Sequence, residues 1–459
     1  MTGKRKRKLA MPDTLIIVAS VVLLVAILSW IIPSGTYDYQ EMNINGRIRN
    51  VAIDGTYHTI DKSEVTTTGF LGFFSVLYRG CVEAADVIFM ILCCCGTFGV
   101  VVKTGAFHAG IGTILKKLKG KEILLVPIIM MIFGLGGSVF GMASEFYGFY
   151  PLIVGLGVAL GYDAMFGFAI IAVGEFVGFM GATLNPYSVG IAQTISGVEL
   201  YSGTGYRAIC FVIFMAISII YVMVYGRKIK KNPGASVVFG EKNIHAFDRD
   251  ELNEYSFTLK DGLVLLDVLV VLVVLMLGLI KWGWDFPQLC GLFLLMSMIA
   301  AAICKWSPNK WCSEFIDSAK TAMWGCILTG IAKAITVVMQ DAQIMDTVIY
   351  GLSNVLKNAP HAVSAQVMLV VQTLINFFIP SATGQASATM PIMAQLADII
   401  GVSRQTAVLA FQFGDGLSNI FWPTADIVII CGLGGISLQK WYKWFTPLFL
   451  ILFVTQAIL

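Results

Sequence analysis

The chain has 459 residues, 57% hydrophobic and 13% charged, with a mean hydropathy of +0.80 and a formal net charge of +3. Soluble domains carry roughly 25% charged residues, so this composition excludes a soluble enzyme, and the near-neutral balance excludes a nucleic-acid-binding protein. Apolar runs recur along the whole length at about 20 residues, enough to cross a bilayer. The ten cysteines show no CxxC or Cys/His spacing, so they read as small lipid-compatible residues rather than a disulfide or zinc framework.

In chain order, Lys4-Arg5-Lys6-Arg7-Lys8 marks a cytoplasmic N-terminus, because Lys and Arg are retained on that side. Residues 1–32 read as this basic segment and span 1, whose run from Thr14 to Ile32 is too long for a signal-peptide core. Residues 33–78 read as an external segment in which alternating residues flank Asn45-Gly46, the signature of a small β-hairpin.

Residues 79–226 form a first repeat. A span at 79–103 is followed by an interfacial arm helix at 105–119 and a hairpin at 122–160. The hairpin is interrupted by Gly-rich SVFGMASE. A span at 163–198 is broken at GATLNPYS (181–188), and 204–226 returns to the cytoplasm. Reading 122–160 as a re-entrant hairpin keeps the basic loop GRKIKKN (226–232) inside, as charge bias requires. A cytoplasmic linker (227–260) and two scaffold spans (261–304) follow.

Residues 318–459 repeat the order: span 318–340, arm 342–357, hairpin 362–400, broken span 404–437 and a final span. The second hairpin carries IPSATGQASATMP (379–391) at its tip, and the second broken span is interrupted at GLSNIFWPT (416–424). Superposing the halves pairs Pro151 with Pro391, Gly161 with Gly401, Glu145 with Gln385, and Gly174-Glu175 with Gly414-Asp415. The halves enter the membrane from opposite sides, so the repeat is inverted. The fold expected is an all-α polytopic membrane protein with two re-entrant hairpins, two broken spans and a small external β-hairpin.

Non-helical backbone at membrane depth is tolerated only where it is buried in protein or lines a wet cavity. Inverted halves with broken helices meeting near the midplane are the hallmark of secondary transporters, whose half-helix termini hold substrate and ions. A channel would also use re-entrant loops, but inverted pairs suit alternating access better. An intramembrane enzyme would need a motif such as HExxH or Gly-x-Ser-x-Gly, and the sequence has neither. No cofactor or resident metal is expected.

The stretch 379–424, with MPDTLIIVASVVLLVAILSWIIPSGTY near the N-terminus and EFYGFYPLIVGLGVALGYDAMFGFAI, resembles YfcC-type carriers within the C4-dicarboxylate anaerobic carrier (DcuC-like) family. The resemblance covers essentially the whole chain. It implies membership of the ion transporter superfamily, with homodimers, a fixed scaffold and an elevator-like transport unit in the bacterial inner membrane. It also implies substrate and sodium sites at the tips and breaks. At the matching positions stand Ser144, Glu145, Thr183, Asn185, Thr383, Gly384, Gln385, Ser387, Ser418 and Asn419. Some relatives of this type exchange basic amino acids such as arginine and ornithine.

Ionisable groups inside membrane segments are expensive and usually functional. Glu145, Glu175 and Asp415 lie at the tips and breaks, and the sequence around the four motifs contains no Lys or Arg. Acids without bases favour a cationic feature. That is a substrate amine or guanidinium, or a coupling Na+ or H+ at Glu175 and Asp415. The alternative is a C4-dicarboxylate or short-chain carboxylate read by helix termini and hydroxyls. Lys333 is expected to snorkel outward from its span or to pair with an acid, and Asp426 to cap a half-helix.

Overall fold

The computed structural model describes residues 14–44, 47–118, 122–241, 245, 257–357, 360 and 363–459. The basic N-terminus and the Asn45-Gly46 pair lie outside the described residues.

Helix α1 (Thr14–Ile31) carries no charge and buries Val18, Val22, Val25, Ala26 and Ser29 on one stripe, leaving Leu23, Leu24 and Ile27 outward. That spacing follows one face of a 3.6-residue helix, with the outward leucines suited to lipid. The segment after α1 forms two antiparallel pairs. Strand β1 (Ser34–Thr36) pairs with β4 (His58–Ile60), and β2 (Tyr39–Ile44) with β3 (Arg47–Ala52). The β2–β3 register sets Tyr39 opposite Ala52 and Ile44 opposite Arg47, which is the expected hairpin.

Two interrupted helices pack against each other. Helices α2 (Phe70–Glu83) and α3 (Ala85–Lys103) meet at Ala84. Further along, α10 (Leu259–Lys281) and α11 (Phe286–Ile303) lead to α12 (Pro308–Lys320) and α13 (Met323–Asp341). Helix α2 packs on α13 and α3 on α12, while α1 covers α13. The α2–α13 approach is close: a Cβ on Gly80 would lie against Gly330 O and 2.7 Å from Ala334 N. This corrects two sequence boundaries. The helix begins at Phe70, inside the stretch read as external, and the region before 318 is already helical. Helix α12 escapes a hydropathy reading because Lys310, Glu314, Asp317 and Lys320 interrupt it. Its N-terminus is signalled instead by Pro308 at N1 and by Ser307, whose Oγ accepts from Lys310 N at 3.2 Å.

After each of these interrupted pairs the same order follows. In the first half the arm α4 (Ala106–Leu118) leads to α5 (Leu125–Leu135), a π turn at Gly136–Phe140, a break, α6 (Phe149–Ala159), α7 (Ala164–Met180), a second break, α8 (Val189–Ile195) and α9 (Thr204–Lys231). In the second half the arm α14 (Met345–Lys357) leads to α15 (Ser364–Phe378), a break, α16 (Ala382–Ile399), α17 (Arg404–Ser418), a break, α18 (Asp426–Gly434) and α19 (Leu438–Ile458).

Helix α5 lies along α7 as α15 lies along α17. Matching glycines permit both approaches: a Cβ on Gly174 would be 3.0 Å from Met130 Cα, and one on Gly414 would be 2.9 Å from Thr373 N. The breaks are tied alike. Thr183 Oγ1 donates to Ser138 O at 3.3 Å, and Thr424 Oγ1 to Phe377 O at 2.6 Å. The halves meet where α7, buried throughout, packs on α17 and where α8 packs on α16.

Candidate functional site

A cavity of about 620 Å³ lies between α2, α3 and α13 and the broken elements of both halves. On one side it is lined by Glu83 and Ala84 at the α2–α3 break and by Thr329, Lys333 and Thr336 of α13. The first hairpin contributes Ser144 and Tyr147, and the second contributes Ser381, Gly384 and Ser387. Thr424 and Asp426 come from the second broken span, and Tyr39 and Asn50 from the β2–β3 hairpin.

Local sequence explains why these groups face a cavity. Pro380 cannot continue α15, and Ser381 caps α16 by accepting from Gly384 N at 3.3 Å. The first turn of α16 therefore points its remaining N–H groups and partial positive charge toward the cavity. Thr383 Oγ1 donates to Tyr187 O at 2.9 Å, tying this tip to the first break, and Ser387 Oγ donates to Thr383 O at 2.8 Å. Asp426 opens α18 and accepts from Tyr147 OH at 2.6 Å, a bond joining the two halves at the cavity wall. Lys333 makes no hydrogen bond or ion pair with any described residue.

Beneath the second tip lies a buried polar network. Asn376 Nδ2 donates to Asp415 Oδ1 at 2.9 Å and is 3.2 Å from both Gln385 Oε1 and Asn419 Oδ1. Gln385 Nε2 donates to Gln372 Oε1 at 2.7 Å. Three acceptors thus converge on one amide with two protons, while Asp415 Oδ2 and Asn376 Oδ1 have no partner. In the first half, Glu175 accepts from Tyr150 OH at 2.8 Å and its other oxygen has no partner. Asn185 Oδ1 accepts from Tyr187 N at 2.9 Å and Ser188 N at 3.2 Å, holding the 181–188 break.

The residues singled out from the sequence therefore fall into two layers. Ser144, Gly384 and Ser387 line the cavity. Gln385, Asn419, Asp415, Thr183, Asn185 and Glu175 lie behind it, buried and hydrogen-bonded, and Thr383 makes a half-buried bond. Glu145 turns back on its own loop to accept from Ala143 N at 3.0 Å, and Ser418 Oγ bonds Gly414 O within α17. The expectation of acids without bases does not hold. Lys333 lines the cavity with Asp426, and the buried Arg207 donates to Thr183 O at 3.2 Å. Both cations are remote in sequence from the motifs they join. The available signals were a lysine inside an apolar span and an aspartate just after a break.

Six helices among the described residues are long and apolar enough to cross a membrane. Together with interrupted helices around a cavity that carries several polar side chains, they define a multi-pass transport protein of the inner membrane. The chain belongs to the C4-dicarboxylate anaerobic carrier family, DcuC, whose family model matches residues 11–459. It is 32% identical to the Escherichia coli (strain K12) protein named "Putative basic amino acid antiporter YfcC", over 99% of this chain and 97% of that one. An uncharacterized protein of Haemophilus influenzae is 27% identical, over 100% of this chain and 97% of its own length. Among solved structures, the Alcanivorax borkumensis YdaH transporter aligns at 14% identity, covering 97% of each chain, with a TM-score of 0.42. Neisseria gonorrhoeae MtrF, from a class of antimetabolite efflux pumps, aligns at 16% identity over 98% of this chain and 94% of that one, with a TM-score of 0.44.

Proposed function

We propose that this carrier is a secondary active transporter that exchanges basic amino acids, such as arginine and ornithine, by alternating access through the 620 Å³ cavity. The observation that carries this reading is the presence of Lys333 and Asp426 in one cavity with the hydroxyls of Ser144, Ser381, Ser387 and Thr424. A zwitterion with a cationic side chain has complementary groups. Its carboxylate goes to Lys333 and the N-terminus of α16, and its amine or guanidinium to Asp426, steadied by Tyr147. The volume is in the ordinary range for a small-solute site, about 300–1,000 Å³. The name of the Escherichia coli relative supports the same class of solute.

The transport unit comprises both hairpins and both broken spans, arranged as an inverted repeat. It slides as an elevator past a dimeric scaffold built on α1–α3 and α10–α13. Shared element order, matched glycine contacts and matched Thr183 and Thr424 bonds support this division. A coupling Na+ or H+, where one is used, is held by Asp415 and Glu175, each of which keeps an unpartnered buried oxygen.

A C4-dicarboxylate or short-chain carboxylate is the second reading, favoured by Lys333 and the α16 N-terminus together. The test is counterflow in proteoliposomes loaded with unlabelled arginine, ornithine, citrulline or succinate, following entry of the same labelled solute with and without sodium. Saturable arginine or ornithine counterflow supports the first reading. Counterflow with succinate alone replaces it with the second.

A further inference from the structure

We propose that the external β-hairpin is the outer wall of the solute cavity. In this proposal Tyr39 and Asn50 control access and selection at its mouth, and Asp346 acts as the positioning residue that holds the hairpin in place. The proposal rests on reading that cavity as the solute site.

The external segment touches both the scaffold and the second hairpin. Its β1–β4 half is fixed to the scaffold side: Ser34 Oγ donates to Ala342 O at 2.7 Å, and Gly35 N to Gln343 O at 2.8 Å. Tyr57 stacks on Tyr350 of the arm α14 with ring centroids 4.1 Å apart. The β2–β3 half lies instead on α16, with Val51 and Ala52 buried. From there it reaches the cavity wall with Tyr39 and Asn50.

Asp346 sits at the junction of these halves. Its carboxylate, buried at 7% exposure, accepts from Tyr37 N at 3.0 Å, Thr36 Oγ1 at 3.1 Å and Tyr39 OH at 2.8 Å. Three donors from a four-residue stretch on one carboxylate fix the angle at which β2 leaves β1. Burial, reinforced by this carboxylate, pushes the Tyr39 phenol well above its ordinary range, so it stays a neutral donor. Tyr39 therefore holds the latch and lines the cavity at once. Any movement of α16 relative to α14 must either carry β2–β3 away from its α14-bound partner or release it from α16. The hairpin is thus placed to keep the outer mouth closed until that movement occurs.

The test is access from outside to a cysteine placed in the cavity, which does not depend on which solute is carried. Ser144→Cys in right-side-out proteoliposomes is labelled with a membrane-impermeant maleimide, subtracting the label taken up by the parent. Tyr39→Phe, which keeps the ring, and Asp346→Asn, which keeps the shape, are each added. Labelling is expected to accelerate about fivefold in each, the population shift from one lost net hydrogen bond. External KM in counterflow is expected to fall and internal KM to rise, because the outward-open fraction grows at the expense of the inward-open one. Unchanged labelling in both variants, with the protein still folded by size-exclusion chromatography, overturns the proposal even if transport is as proposed above. If Asp346→Asn fails to fold, Tyr39→Phe alone decides by the same two outcomes.

Discussion

Replacing Gly178 with alanine tests whether the close contact of α5 and α7 holds the first half together. An alanine Cβ there would lie 2.5 Å from Gly134 Cα and 2.6 Å from Gly134 C, and would run into Gly134 O. Carbon atoms prefer about 3.5–4.0 Å, so the helices must part by about 1 Å. All three obstacles are main-chain atoms, so no rotamer change relieves them. One turn away, Gly137 approaches Glu175 O and Phe179 N as closely, which prevents a simple tilt. Overpacking of this kind costs about 1–3 kcal/mol. The control is Gly291→Ala, at a position with nothing within 4 Å. Both variants gain the same helix propensity, about 1 kcal/mol, so their difference isolates the steric cost. Unfolding in mixed detergent micelles should therefore place Gly178→Ala about 1–3 kcal/mol below Gly291→Ala. Equal stabilities would refute the packing described for α5 and α7.

Tyr147→Phe removes the donor 2.6 Å from Asp426 and is expected to raise the KM for a cationic solute about tenfold in counterflow, the weight of a hydrogen bond to a charged group; an unchanged KM separates Asp426 from solute binding. Asn376→Leu strips the amide shared by Asp415, Gln385 and Asn419, and should lower stability by about 1–3 kcal/mol in the same micelle assay; full stability would mean that the network is satisfied without it. Arg79→Gln breaks the half-exposed pair in which Arg79 Nη2 donates to Asp341 Oδ1 at 2.9 Å. It should cost no more than about 1 kcal/mol, and less at high salt, whereas a larger cost would give the pair a structural role.

Much of the fold is legible in the sequence because lipid imposes length and apolarity on each span. The interruptions at 138–145, 181–188, 379–391 and 416–424 are visible as Gly, Pro and hydroxyl clusters, and a break falls within each, but it is shorter than the cluster in the second half: only 379–381 separates α15 from α16, which carries Pro391 inside it, and the last break begins after Ser418. The β-hairpin is visible from its alternation. Helix α12 is not, because its four charged residues hide a face that packs on α3. The join at Ala84 is not visible either, since no Gly or Pro marks it. The site is half legible. Hairpin-tip residues such as Ser144, Gly384 and Ser387 stand in motifs that announce a break. The charges that face them are set by tertiary packing. Lys333 and Asp426 reach the same cavity only because α13 packs against α18, where Gly432 approaches Gly325. No periodicity or spacing within either segment encodes that meeting.

The most direct measurement is counterflow of arginine and ornithine beside succinate for the parent, Asp426→Asn and Lys333→Gln, reconstituted at equal amounts. The expected result is that Asp426→Asn loses exchange of the cationic solutes, while Lys333→Gln weakens every solute that bears a carboxylate. Parental KM and rate in both variants would contradict the assignment of this cavity as the solute site.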